Sequence, residues 1–291
     1  MALLSCREVS VSYGGVRALV NVDLDVEEGQ LVGLIGPNGA GKTTFIDAIT
    51  GIVRSRGHVE LDGQNLTPLP SHARARLGLT RTWQSIELFD DLTVLENLTV
   101  LAPRRARESA RTPDEALAMF GLESLADAMP SEVSQVQRKL VGLARALAAD
   151  PRVLCLDEPA AGLDVRESEE LGRRLRQIVD SGIPVLLVDH DMGLVLGISD
   201  HVVVLEFGKI LAQGPPDAVC RVEQVITPYL GSAAKEAQAA LGVHERDATG
   251  DREPLCRVRR GCRRGHQPPG WQRRGVAVMD RNGAGGGVSA V

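Results

Sequence analysis

One octapeptide limits what this chain can become: Gly36-Pro37-Asn38-Gly39-Ala40-Gly41-Lys42-Thr43, followed by Thr44. It meets every fixed position of the pattern G-x-x-x-x-G-K-[ST]. Its flanks also fit. Residues 30–35 are a short apolar run that reads as a strand, and the sequence from Lys42 to about Thr50 reads as a helix. A strand that feeds a glycine-rich turn and then a helix start gathers backbone N–H groups around one point. The helix end adds partial positive charge there. In such a loop Lys42 reaches the β- and γ-phosphates of a nucleotide, and the Thr43 hydroxyl is a ligand for Mg²⁺. Gly36, Pro37, Asn38, Gly39, Ala40, Gly41, Lys42, Thr43 and Thr44 are therefore the expected nucleotide contacts.

A second pattern lies over a hundred residues on. Val153-Leu154-Cys155-Leu156-Asp157-Glu158 is four apolar residues ending in two acids. Alone, a strand ending at a solvated acidic turn is the plainer reading. Beside a phosphate loop it changes meaning, because a parallel sheet collects such strand ends at one edge. Asp157 is then expected to hold Mg²⁺, directly or through water. Glu158 is expected to orient and polarise an attacking water.

The rest of the chain supplies a frame for these two patterns. Residues 3–12 and 16–28 alternate apolar and polar side chains and predict antiparallel strands, with another at 57–62. Residues 71–84 predict a short basic helix and then a strand. Between about 92 and 150 the leucines fall at helical spacing, with an amphipathic helix over 139–149, so a helical subdomain is inserted into an α/β core. Strands at 153–156, 184–188, 201–206 and 209–213, and a helix at about 166–180, complete a domain that spans 1–231. Residues 232–242 are Ala-rich and 251–291 are rich in Arg, Gly and Pro. Such a tail carries too little apolar surface to offset its ordering entropy, so 232–291 is expected to be disordered.

Composition removes several classes. A net charge of −5 argues against nucleic acid as the main partner. No run approaches the roughly 20 apolar residues that span a bilayer, and the first residues lack the pattern of a signal peptide. Any membrane role must come through partners. The five cysteines show no CxxC pairing, so neither a disulfide frame nor a zinc site is expected, and the compartment reads as reducing and cytoplasmic.

Taken together, the loop, the acidic strand end and the helical insertion between them resemble the ABC ATPases. The resemblance covers about residues 3–231 and implies a P-loop NTPase core with an antiparallel β subdomain and an inserted helical subdomain. It also implies roles for single residues. Gln84 matches the family's Q-loop glutamine, a Mg²⁺ and γ-phosphate sensor facing the membrane subunit. Ala161-Gly162-Leu163-Asp164 matches the D-loop. His190 matches the switch histidine at the γ-phosphate, and Tyr13 matches the aromatic that stacks on adenine. The catalytic set implied is Lys42, Gln84, Glu158 and His190, with Thr43, Gln84 and Asp157 at the metal. Partners implied are a second ABC ATPase subunit, identical or different, and permease subunits. The chain itself would sit on the cytoplasmic face of the membrane.

One departure stands out. The family's signature Leu-Ser-Gly-Gly-Gln aligns here with Val133-Ser134-Gln135-Val136-Gln137. Ser134 and Gln137 fit, and Ser134 would touch the ATP held by the partner. Val136 replaces a glycine whose backbone approaches that same γ-phosphate, and a β-branched side chain adds bulk there. Since each site pairs one subunit's phosphate loop with the other's signature, Val136 would impair the partner's site.

Leu77-Gly78-Leu79-Thr80-Arg81-Thr82-Trp83-Gln84 and Asp157-Glu158-Pro159-Ala160-Ala161-Gly162-Leu163 are similar to the branched-chain amino-acid importer ATPases, the first of their two types. So are the stretch from Leu88 to Asn97 and the closing Val225-Ile226-Thr227-Pro228-Tyr229-Leu230-Gly231. Two other readings stay open: a hydrolysis-impaired or regulatory ABC subunit, and a soluble ABC ATPase outside transport.

Overall fold

A computed structural model describes residues 2–82, 88–102, 111–222 and 277–278. Gln84 and nearly all of 223–291 lie outside the described residues, so the expectations placed on them are carried no further by the fold. Two strands open the chain, β1 (Ala2–Tyr13) and β2 (Val16–Glu27), followed by β3 (Leu31–Ile35) and α1 (Lys42–Ile49). Next come β4 (Arg56–Leu61), β5 (Gln64–Asn65), α2 (Ser71–Arg76) and β6 (Leu79–Arg81). The antiparallel sheet has the order β2-β1-β4-β5. Its alternation buries Leu4, Cys6, Val9 and Val11 of β1 against Leu19, Val22, Leu24 and Val26 of β2.

The helical insertion holds α3 (Val94–Thr99), α4 (Pro113–Met119) and α5 (Gln135–Ala148). Local chemistry sets their starts. Thr93 with Glu96, Thr112 with Glu115 and Ser134 with Gln137 each form a reciprocal capping box. The last explains why α5 begins at Gln135 rather than near 139: the Ser134 hydroxyl accepts from the Gln137 N–H at 3.2 Å, which extends the helix by a turn.

After the insertion come β7 (Val153–Asp157), α6 (Val165–Asp180), β8 (Val185–Val188) and α7 (Met192–Ile198). The hairpin β9 (His201–Glu206) and β10 (Lys209–Gly214), the short α8 (Pro216–Val219) and the two-residue β11 (Ala277–Val278) follow. The main sheet runs β11-β10-β9-β3-β8-β7-β6, parallel from β9 to β6. Every residue of β3, β7 and β8 is buried, as expected of parallel strands covered on both faces. Leu31, Ile35, Leu154 and Leu156 face a core shared with α5 and α6. Val32, Leu34, Val153 and Cys155 face the antiparallel sheet, with Phe45, Ile46 and Ile49 of α1 between the layers.

One buried cation fixes the far end of α1. Arg74 of α2 is 5% exposed and donates to the carbonyls of Ala48 and Ile49, the last of that helix, at 3.0 and 2.7 Å. It also donates to Leu69 and Thr67 carbonyls. A guanidinium at a helix C-terminus satisfies orphan carbonyls and complements the helix dipole. Arg74→Ala removes the guanidinium from all of these carbonyls, and of the two at the helix end Ala48 keeps only the long bond from the Gly51 N–H at 3.2 Å. The expected loss is about 3 kcal/mol, since bonds to charged groups contribute ~1.5–3 kcal/mol each and are not additive. That corresponds to roughly 6–12 °C in Tm, read by thermal denaturation. A Tm within about 1 °C of the parent would contradict the assignment.

Candidate functional site

The phosphate loop begins where β3 ends. Gly36 turns the chain with φ 146°, and a Cβ there would lie 2.1 Å from the Leu205 carbonyl oxygen of β9. Gly41 is the N-cap of α1 with φ 105°, and its missing Cβ would meet the Ala18 carbonyl at 2.8 Å. Both positions therefore exclude a side chain twice, by conformation and by space. Gly41 offers no side-chain cap, so the first N–H groups of α1 stay open to an anion. The loop is braced from behind by the Gly208 N–H donating to the Ala40 carbonyl at 2.9 Å. Lys42 is buried, and its Nζ donates to the Gly36 and Pro37 carbonyls at 2.8 and 3.0 Å, which holds the ammonium at the centre of the loop. Burial lowers its pKa, while Glu158 and Asp157 pull it back up.

Those two acids stand at the same sheet edge. Register pairs Leu34 with Val188 and Val188 with Asp157, so the end of β7 lies two strands from the start of the loop. Asp157 is 4% exposed. Its Oδ2 accepts from Arg81 Nη2 at 3.2 Å, and Arg81 Nη1 also pairs with Asp47 of α1. Burial pushes the Asp157 carboxyl up, and the Arg81 guanidinium acts against that. Among the described residues, Oδ1 of Asp157 is buried with no hydrogen-bond partner. The Thr43 hydroxyl lies close enough to favour the charged carboxylate. Glu158 has a left-handed backbone, φ 50°, held by its N–H donating to the Val188 carbonyl at 2.7 Å. This turn carries its side chain out of the strand, half-buried rather than sealed in.

The loop after β8 completes the edge. The His190 Nδ1 lies 4.0 Å from the Glu158 Oε2, and the ring is largely exposed. Asp189, 1% exposed, holds this loop in place by accepting from the N–H groups of Ala160, His190 and Asp191. Thus Lys42, Thr43, Asp157, Glu158 and His190 come together. The remaining loop positions (Pro37, Asn38, Gly39, Ala40 and Thr44) surround the same turn.

Other expected residues stand on other layers. Tyr13 is half-exposed at the end of β1, opposite Val16. Its sheet is joined to the phosphate loop through the Val20 N–H, which donates to the Gly208 carbonyl at 2.8 Å. Ser134 is exposed at the N-cap of α5, on the helical insertion. Val136 is the second helical residue, and its backbone is right-handed. A glycine is therefore not demanded by conformation at 136, and only the added bulk distinguishes valine. Lys139 ties this helix to the D-loop by donating to the Ala161 carbonyl.

Sequence reasoning missed Arg81, Asp47, Asp189 and Lys139. Asp189 had a visible signal, because it ends an apolar strand as Asp157 does. A charged residue in the short strand Leu79–Arg81 was a weaker one.

A sequence model described as ABC transporter matches residues 19–161. The chain is 37% identical over 251 residues to the high-affinity branched-chain amino acid transport ATP-binding protein BraF of Pseudomonas aeruginosa, covering 79% of this chain and 98% of that protein. It is 36% identical over 236 residues to the lipopolysaccharide export system ATP-binding protein LptB of Escherichia coli, with the same coverage. Among solved structures, an ATP-binding cassette of an ABC transporter in its ADP conformation superposes with a TM-score of 0.71 at 28% identity. That match covers 79% of this chain and 99% of that one. A dimeric bacterial ABC transporter cassette gives 0.64 at 26% identity, covering 73% and 98%.

Proposed function

The chain belongs to the ABC transporter ATP-binding proteins and is an ATPase, and from that premise we propose that it energises an importer of branched-chain amino acids. The observation that carries the catalytic part is the cluster of Lys42, Asp157, Glu158 and His190 at one sheet edge, beside an uncapped helix N-terminus. The import part is supported by the similarity to BraF and by the Arg81-Thr82-Trp83-Gln84 stretch. The similarity to LptB supports the opposite direction nearly as strongly, so the test must separate them.

In the proposed mechanism Tyr13 stacks on the adenine. The loop amides and Lys42 hold the phosphates. Thr43 and the orphaned Oδ1 of Asp157 suit a hard divalent cation, with Gln84 as a further oxygen donor. Mg²⁺ held there would neutralise charge on the phosphates. Glu158 takes the proton of the attacking water, and His190 steadies charge on the γ-phosphate. Ser134 and the start of α5 face the nucleotide of a second ATPase subunit. Lys139 carries any shift of the signature helix to the D-loop. Among the described residues no helix is long and apolar enough to cross a membrane, and we place the chain on the cytoplasmic face, docked to permease subunits.

Cells lacking the chain are expected to take up labelled leucine several-fold more slowly, with uptake restored by the parent chain and not by its Lys42→Ala variant. Normal uptake with an altered lipopolysaccharide surface would move the assignment to export. Val136 adds a second expectation, that its bulk hinders the opposite site. Val136→Gly then raises the steady-state ATPase rate of the purified chain several-fold, and no gain removes the hindrance reading.

A further inference from the structure

We propose that Arg81 is a positioning residue of the metal seat, a two-armed clamp that sets the Asp157 carboxylate against the helix bearing Thr43; this rests on the ATPase reading above. The guanidinium is nearly fully buried, with its side chain 7% exposed. One arm reaches Asp47 and the other reaches Asp157 Oδ2 at 3.2 Å. Asp47 lies four residues after Thr43 on α1, so the two share a helix face. Arg81 therefore spans from the helix that carries one expected metal ligand to the strand that carries the other.

The arrangement divides the Asp157 carboxylate. Oδ2 is taken by Arg81, and Oδ1 is buried with no hydrogen-bond partner among the described residues. Two carboxylates and one guanidinium leave a net charge of about −1, the sign a divalent cation needs. Planar, two-armed contact is a property of arginine that lysine lacks. The clamp also sits three residues before Gln84. The Thr82 N–H, donating to the Cys155 carbonyl at 2.9 Å, keeps the chain paired to β7 beyond the end of β6. The Arg81 Nε adds a long bond of its own to the Thr82 carbonyl, at 3.4 Å.

The test compares ATP affinity with Mg²⁺ and with EDTA in the full-length chain, together with Tm. The parent binds ATP more tightly with Mg²⁺. Arg81→Gln is expected to lose about ten-fold or more of that Mg²⁺-dependent gain, with its affinity in EDTA retained. Arg81→Lys, which keeps charge without the fork, loses the gain as well. Asp47→Asn shifts it in the same direction and decides the matter if Arg81→Gln does not fold. The double variant is no worse than Arg81→Gln, because the pair acts as one unit. A full Mg²⁺ gain in Arg81→Gln overturns the proposal. So does an equal fall of affinity in both buffers, which marks Arg81 as packing alone. A parent chain that binds ATP in neither buffer would instead overturn the ATPase reading.

Discussion

Lys42→Ala slows ATP hydrolysis about a hundred-fold or more and weakens ATP binding about ten- to a hundred-fold. The reason is the position of the ammonium. It is buried at the centre of the loop and held by two loop carbonyls, so it meets phosphate without reorganising. A hydrogen bond to a charged group contributes ~1.5–3 kcal/mol, which sets the affinity loss. Turnover falls further, by about a hundred-fold or more, because negative charge builds on the β–γ bridging oxygen of the departing ADP as its bond to the γ-phosphoryl group breaks, and the Lys42 ammonium lies beside it. Stability should hardly suffer. Burial already lowers the Lys42 pKa, so the fold bears a desolvation cost there that alanine removes. Fluorescence titration with ATP and a phosphate-release assay measure both effects. Unchanged turnover would remove the loop from the mechanism and with it the functional assignment.

Glu158→Gln separates chemistry from binding. The substitution keeps size and shape at a position whose φ of 50° is fixed by the bond to Val188. It removes only the group that accepts a proton from water. The expected result is a fall in kcat of about 10²–10⁴-fold, with ATP still bound and the dimer-closing state prolonged. ATP affinity is expected to hold or rise. A loss of affinity as large as the loss of kcat would assign Glu158 to ground-state binding. His190, whose Nδ1 is 4.0 Å from Glu158 Oε2, keeps its nearer neighbour Asp189 Oδ1 at 3.6 Å when Glu158 is replaced.

How far the sequence could reach differs by residue. The phosphate loop was legible because its parts are contiguous: three glycines, a lysine and a hydroxyl within eight positions specify both backbone and chemistry. The acidic strand end was legible because four apolar residues predict burial on both faces, which forces the next polar residue to the sheet edge. The helix Met192–Ile198 escaped notice for the opposite reason. Met192-Gly193-Leu194-Val195-Leu196-Gly197-Ile198 is apolar throughout, so it shows no period, and its start is marked only by Asp191 accepting from the Leu194 N–H.

By itself, then, the sequence determined the class of fold and marked the loop 36–44, Asp157 and Glu158 as expected site residues, with His190 added by the family resemblance. Only the tertiary structure decided how the acids are held. Arg81 pairs with residues 34 and 76 positions away in the chain. No local period or spacing carries such a link. A charged side chain near a strand end can meet solvent, a carboxylate or a carbonyl, and which one it meets depends on how the sheet stacks against α1. Motifs survive in one dimension because the backbone enforces them. Counter-ions are chosen in three, by whichever strand and helix the core brings within reach.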